Sequence, residues 1–397
     1  MDKVEEIITR GVEEIYVKSE LEKALKSTKK LRIYYGVDPS GAEIHLGHAV
    51  CLRKLQYLQS LGHKIIFLIG DFTGMIGDPT DRSAVRQPLT REQVLENATT
   101  YKEQVSRFLN FDGKNPAEMR FNSEWNDDLS FKDLIELSGR FTVQQLLERD
   151  MFQQRLFQNK PIGLHEFLYP VVQGFDAVML DADMQIGGTD QTFNMLQGRT
   201  LMKSMKNKVQ MVMTIKLLEG SDGRKMSKSF GNTISTTDKP TEMYGKTMSI
   251  KDDLIVQYFE LGTELPMSDI KKHQKELQAG KNPRDLKAKL AYELVKLYHG
   301  EKEAKKAADN FEKTFVKREI PDELEEALIL DKNWHVVDLL HFTQLVSSKS
   351  EARRLIDQGG VKVDGAIIGD REATIRPQDE MVIQIGKRKF IRIKLDK

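Results

Sequence analysis

YYGVDPSGAEIHLGH, residues 34–48, joins a strand to a helix, and the rest of the chain is arranged around that junction. Leu31, Ile33 and Tyr35 alternate with Arg32 and Tyr34, which favours an extended chain. Gly36 weakens the strand and permits close backbone approach, and Pro39, Ser40 and Gly41 break it. Apolar residues at Leu46, Ala49, Val50, Leu52, Leu55 and Leu58 predict a helix starting near Leu46. Its N-terminal N–H groups then lie at the carboxyl edge of a sheet, where phosphates bind. His45 and His48, three residues apart, share one face there. Each can donate a hydrogen bond to a phosphate oxygen as charge builds on it. Alone, the stretch reads equally well as a surface turn with two ordinary histidines.

Far downstream, residues 224–232 read RKMSKSFGN. Lys225 and Lys228 flank Ser227 and Ser229, with Gly223 and Gly231 bracketing the segment. Two point charges and two small donors on a loop suit a polyphosphate. A pentamer of this kind elsewhere would be a solvated basic loop. Downstream of HxGH, it resembles the paired signature of class I aminoacyl-tRNA synthetases, in which both motifs hold the ATP triphosphate.

At 397 residues, two or three domains are expected. Hydrophobic content of 39% with 30% charged residues indicates a globular chain with ample core, and no apolar run is long enough to span a membrane. The start of the chain lacks a signal-peptide layout. A single cysteine, Cys51, excludes an intramolecular disulfide framework and fits a reducing cytoplasm. With 61 basic and 60 acidic residues, net charge does not point to nucleic acid. From Trp334 to Lys397, 12 Lys/Arg stand against 9 Asp/Glu, a modest basic excess at the end of the chain.

Residues 2–28 read as one amphipathic helix with Val4, Ile7, Ile8, Val12 and Ile15 on a stripe. HKIIFLIGDF (63–72) reads as a buried parallel strand, and Gly74, Gly77 and Pro79 make an irregular turn at its carboxyl end. Asp78 either points into the crevice beside His45 and His48 or only stabilises that turn. Arg82 and Arg86 either are solvated or meet a leaving diphosphate. Helices are predicted at 90–109, 129–136 and 142–158, with a short strand at 119–121. In HEFLYPVVQGFDAVML (165–180), Tyr169, Gln173 and Asp176 lie at i, i+4 and i+7 on one helical face. A buried stripe of phenol, amide and carboxylate is costly unless it binds something. ADMQIGGTDQTFN (182–194) predicts a strand, a Gly187–Gly188 turn suited to a ribose or adenine, and a helix capped near Thr189. VQMVMTIKLL (209–218) is the last buried strand before the lysine loop. Alternating strands and helices indicate an α/β fold with a mostly parallel sheet. From about Thr241 to Leu330 the chain reads as helical and charged; beyond Asn333, a helix with Arg353 and Arg354 leads into short strands.

HLGH, KMSKS and the Tyr169-xxx-Gln173-xx-Asp176 helix together resemble the bacterial-type tyrosyl-tRNA synthetases over essentially the whole chain. The resemblance implies a Rossmann-like parallel-sheet catalytic domain at 1–232, an α-helical domain at 233–332 and a small α+β S4-like RNA-binding domain at 333–397. It implies that Tyr34 and Asp176 bind the substrate phenol, and that Asp78, Tyr169 and Gln173 bind its ammonium while Gln191 orients its carboxylate. Gly36, Asp38, Ser40, Gly47, Gly188, Asp190, Ser227 and Ser229 would contact the nucleotide. Cys51 either abuts it too or is a small buried residue. His45 and His48 would stabilise the transition state, and Lys225, Lys228, Arg82 and Arg86 the leaving phosphates. Arg353, Arg354, Lys387, Arg388 and Lys389 are the candidates for RNA phosphates. L-tyrosine, ATP with Mg²⁺, tRNA(Tyr) and a homodimeric assembly are the implied partners. No dedicated metal site is expected, and no membrane. A tryptophan-specific relative, a smaller HxGH nucleotidyltransferase and a non-catalytic RNA-binding relative are the rivals. Asp176, the lysine loop with its long extension, and the competent residue at each motif position argue against them in turn.

Overall fold

A computed structural model describes residues 3–80, 89–226, 230–317, 324–330, 332–386 and 389–396. The chain packs as two compact units, residues 1–239 with 246–298, and residues 240–245 with 299–397.

The first unit is built on a six-stranded sheet of β1 (Val12–Tyr16), β2 (Arg32–Val37), β3 (Lys64–Ile69), β4 (Glu118–Phe121), β5 (Met184–Gly188) and β6 (Met211–Ile215), in the order β1-β6-β5-β2-β3-β4. All neighbours are parallel except β1, which runs antiparallel to β6. Ile65 to Ile69 are all buried, the pattern of a strand covered on both faces. The chain moves from β2 through β3 to β4 in one direction, then resumes with β5 and β6 on the other side of β2. Strand order therefore reverses between β2 and β5, which opens a crevice at their carboxyl ends. The helix after β2 spans Leu46–Ser60 and buries the predicted stripe.

Four readings of the sequence are corrected. Residues 2–28 are not one helix: a helix over Lys3–Thr9 gives way to β1, and a second helix spans Lys18–Leu25. Gly11 and Val17 both adopt left-handed backbone, and the segment between them gains ladder bonds on the free edge of β6. The helix expected over 90–109 divides into Arg91–Ala98 and Tyr101–Val105, because the Thr100 hydroxyl and Gln104 bond to the Ala42 carbonyl. That expected over 142–158 divides into Val143–Leu147 and Asp150–Phe157, with Arg149 extended at the break. After β5, a 3-10 turn at Thr189–Gln191 comes before the helix Thr192–Lys206.

The fourth correction lies in the second unit. Residues 325–330, read as helical, form β7 (Glu325–Leu330), which pairs parallel with the last strand. Ile329 enters the core while Leu328 and Leu330 stay exposed, an alternation of period two. Two-residue strands β8 (Trp334–His335) and β11 (Thr374–Ile375) pair with each other. β7 belongs to a five-stranded sheet with β9 (Val361–Val363), β10 (Ala366–Ile367), β12 (Val382–Ile385) and β13 (Lys389–Asp396). Asp364 and Gly365, both at positive φ, turn β9 into β10. Helices Val336–Phe342 and Lys349–Asp357 contribute Val336, Leu339, Leu340, Ala352 and Ile356 to this unit's core.

Candidate active site

At the junction after β2, the His45 backbone N–H donates to His48 Nδ1 at 3.3 Å, so the proton of neutral His48 sits on Nε2. The two rings stack with centroids 3.9 Å apart. A Cβ on Gly47 would come to 3.0 Å from the His45 ring, a tight contact that the ring would have to yield to. The segment leaving the lysine loop clamps the same turn. Leu46 N–H donates to Ile234 O at 2.9 Å, and the N–H and hydroxyl of Thr236 both donate to Ile44 O. Two motifs far apart in sequence thus meet. Lys225 Nζ is 2.6 Å from Asp190 Oδ2. Ser227, Lys228, Ser229, Arg82 and Arg86 lie outside the described residues.

The predicted helix stripe faces inward from the helix Leu164–Met179. Tyr169 Oη donates to Asp38 Oδ2 at 2.8 Å, and Thr73 Oγ1 donates to Asp38 Oδ1 at 2.7 Å. Asn122 Nδ2 bridges Thr73 Oγ1 to Asp176 Oδ2. Trp125 Nε1 and Asn126 Nδ2 donate to Asp176 Oδ1 at 2.9 and 3.3 Å. Asp176 is 2% exposed; burial pushes its carboxyl up to about 7, against the pull of these three donors. Tyr34 is fully buried, and burial followed by the Asp176 charge raises its phenol well above 10. Gln173 Oε1 is buried with no hydrogen-bond partner among the described residues, and the buried Tyr34 Oη faces the Gln210 side chain. Unpaired polar atoms in such a place mark a ligand's position.

Asp78 bonds within its own turn and also to Gln191. Its Oδ1 accepts from the N–H and hydroxyl of Thr80, which closes the turn. Its Oδ2 accepts from Gln191 Nε2 at 2.6 Å, across the crevice. Gln191 Oε1 in turn accepts from Asn194. Burial alone would raise the Asp78 carboxyl; the Arg149 guanidinium and the bonds from Thr80 and Gln191 outweigh it and hold the group below its usual range.

Gly36 is exposed on β2, and Ser40 is exposed with its N–H turned back onto Asp38 O. A Cβ on Gly188 would lie 2.6 Å from Asp190 Oδ1. Cys51 is buried, and burial raises its thiol to about 12. In the second unit, Arg353 and Arg354 are exposed, while Lys389 Nζ donates to Leu345 O at 2.9 Å. Lys387 and Arg388 lie outside the described residues.

A parallel sheet with its crevice at the order reversal, the histidine turn clamped by the lysine-loop exit, and a buried phenol-carboxylate pocket have a match among known families. The family model for tRNA synthetases class I (W and Y) matches residues 26–316. The chain belongs to that family. An S4 domain model matches residues 336–381. The chain is 47% identical to the tyrosine–tRNA ligase of Thermotoga maritima over 389 residues, 98% of this chain and 96% of that one. It is 45% identical to that of Methylococcus capsulatus, covering 98% of each. A solved C-terminally truncated mitochondrial tyrosyl-tRNA synthetase of Aspergillus nidulans shares the fold, with a TM-score of 0.64 at 24% identity over 79% of this chain and 94% of that one.

In this class I synthetase, sequence reasoning missed Gly70, Thr73, Asn122, Trp125, Asn126 and Arg149. A Cβ on Gly70 would overlap Asp38 Oδ1 and Thr73 Oγ1. Asn122, Trp125 and Asn126 all follow β4, the edge strand. They stand at i, i+3 and i+4 about the four-residue helix Ser123–Asn126, too short a run for that spacing to stand out in the sequence. Arg149 had one signal, the slip in apolar spacing between Leu147 and Phe152 with an acid at position 150 opening a new helix.

Proposed function

We propose that this class I synthetase is a tyrosine–tRNA ligase, which activates L-tyrosine with ATP and then transfers it to the 3′ end of tRNA(Tyr). The observation that carries the reading is Asp176, a buried carboxylate ringed by donors and sharing its pocket with the Tyr34 phenol. A substrate phenol donates to Asp176 and accepts from Tyr34. A substrate lacking the hydroxyl gives the Tyr34 phenol no acceptor and takes one donor from the buried Asp176, whose bonds from Asn122, Trp125 and Asn126 remain, a cost that disfavours it.

The ammonium end falls among acceptors. Tyr169 spends its proton on Asp38, so its lone pairs remain for an ammonium. Gln173 Oε1 and the ionised Asp78 complete that set. Gln191, engaged with Asp78 here, lies where it can pass a donor to the substrate carboxylate. That carboxylate attacks the α-phosphorus in line, forming the O–P bond of tyrosyl-adenylate as the bond to diphosphate breaks. It is already ionised, so no protein base is required, and catalysis is positioning and charge stabilisation. His45 and His48 serve the transition state; Lys225, Lys228, Arg82 and Arg86, with Ser227 and Ser229, hold the departing phosphates. Gly36, Asp38, Ser40, Gly47 and Cys51 line the nucleotide, and Gly188 and Asp190 its ribose. Mg²⁺ bound with the nucleotide would supply neutralisation of its phosphate charge. Asp38, Asp78 and Asp190 are engaged by neighbouring donors, which fits an ion carried by the phosphates. The tRNA hydroxyl then attacks the adenylate carbonyl and releases AMP.

Residues 1–232 would carry catalysis, 233–332 follow the lysine loop, and 333–397 contact tRNA through Arg353, Arg354, Lys387, Arg388 and Lys389. Units of packing and of function need not coincide. Phe131, Ile135, Val143, Phe157 and Leu164, all over half exposed with Phe157 at 91%, support a homodimer. No helix among the described residues is long and apolar enough to cross a membrane. The site of tRNA charging and the lone buried thiol support a cytoplasmic location. Charging of a bacterial tRNA(Tyr) with labelled tyrosine is the expected result; charging with tryptophan instead would overturn the assignment.

A further inference from the structure

Arg149 has no part in the reaction as described, yet it is a buried cation beside Asp78. It is 6% exposed, at the break between helices Val143–Leu147 and Asp150–Phe157. Its guanidinium lies over the rings of Phe152 and Phe193, at 5.4 and 5.2 Å from their centroids. Two ring contacts of this kind favour the cation and help keep it from water. Nη2 donates to Thr80 Oγ1 at 2.8 Å and reaches Asp78 Oδ1 at 3.4 Å. Nη1 is buried without a partner among the described residues. An arginine held this way is costly, and simple packing does not call for it.

Three carboxylates act on the Tyr169 phenol from around it: Asp38, Asp78 and Asp176. Buried together, they oppose one another's ionisation. Asp176 takes neutral donors from Asn122, Trp125 and Asn126, whereas Asp78 has the Arg149 cation at 3.4 Å. Glu166 also acts on Arg149, but it is paired with Arg155 at 2.8 Å. The substrate ammonium needs Asp78 charged and held still, with one oxygen turned to the crevice.

We propose that Arg149 is the positioning residue for amino-acid recognition: it anchors Asp78 Oδ1 together with Thr80, keeps the carboxylate ionised, and so fixes the ammonium subsite without touching the substrate. The inference rests on the tyrosine reading above.

The test is tyrosine-dependent ATP–diphosphate exchange by the full-length protein and by Arg149→Met and Arg149→Lys. Two competitive inhibitors are measured alongside: tyramine, which keeps the ammonium, and 3-(4-hydroxyphenyl)propionate, which lacks it. Arg149→Met is expected to raise the tyrosine KM and the tyramine Ki together, on the order of 10- to 100-fold. The KM for ATP and the Ki of the propionate should stay within about twofold. Loss of the cation raises the Asp78 pKa, so the acid limb of 1/KM for tyrosine should move to higher pH. Arg149→Lys restores the charge, so its acid limb should return to the wild-type position even if KM does not recover fully. The proposal fails if both inhibitors weaken alike, or if the acid limb stays in place in Arg149→Met. An Arg149→Met protein that does not fold leaves the lysine variant to decide: an acid limb shifted in it would contradict the proposal. Wild-type protein that shows no exchange with tyrosine would bring down the substrate reading itself, an outcome separate from any change confined to the variants.

Discussion

Asp176 sits among the donors of Asn122, Trp125 and Asn126, a buried charge that the fold tolerates at a cost. Its folded pKa of about 7 lies above the ordinary carboxylate value, so between roughly pH 4 and 7 the folded state holds a proton that the unfolded chain has released. Stability from this group therefore falls as pH rises through that window and levels off above it. Asp78 acts in the opposite sense: its lowered pKa stabilises the fold above about pH 4 and is lost below it. Urea unfolding at pH 5 and pH 8 should show that Asp176→Asn loses less stability across this interval than wild type. An equal loss in both would remove Asp176 as the source. Gly70 offers a second check at this scale. Gly70→Ala pushes a methyl onto the Asp38–Thr73 pair and should cut kcat/KM for exchange by about 10-fold or more. Gly36→Ala meets nothing nearer than Leu68 Cδ2 at 3.8 Å and should fold as well as wild type. Tyr169, Gln173 and Asp176 were legible from sequence because one helix displays them at fixed spacing. Thr73, Asn122, Trp125 and Arg149 were not, because each meets its partner across elements that only the folded sheet brings together.

Among the elements, the strand-to-helix turn and the exit of the lysine loop behave as one piece. The Thr236 hydroxyl and N–H both bond to Ile44 O, just ahead of His45. Thr236→Val keeps the backbone bond and removes the hydroxyl. It should cost about 1 kcal/mol of stability and raise the KM for ATP several-fold, with tyrosine KM unchanged. A matching rise in both KM values would mean general damage instead. Strands flanked by turns were readable here because burial on both faces gives β3 a continuous apolar run. The N-terminal segment and residues 325–330 were not: their apolar spacing suits a helix, and only the free edges of β6 and β13 make them strands.

At the scale of the whole molecule, two functions are separable by salt. Arg353 and Arg354 are exposed on one helix of the S4-matching segment. Arg353→Ala with Arg354→Ala should leave exchange intact, lower kcat/KM for tRNA charging several-fold, and flatten its dependence on salt. Unchanged salt dependence would remove these arginines from the tRNA contact. The order of an α/β portion, a helical stretch and a small terminal sheet was readable from changes in texture along the chain. Burial is absent as a guide for charged surfaces, so contacts to a partner are the least legible layer. ATP–diphosphate exchange with tyrosine, phenylalanine and tryptophan in parallel goes to the heart of the matter. Exchange with tyrosine alone is the expected result under the proposed role of Tyr34 and Asp176 as partners of the substrate phenol. Exchange with phenylalanine or tryptophan at a comparable rate would contradict it, and Asp176 would then be a structural acid.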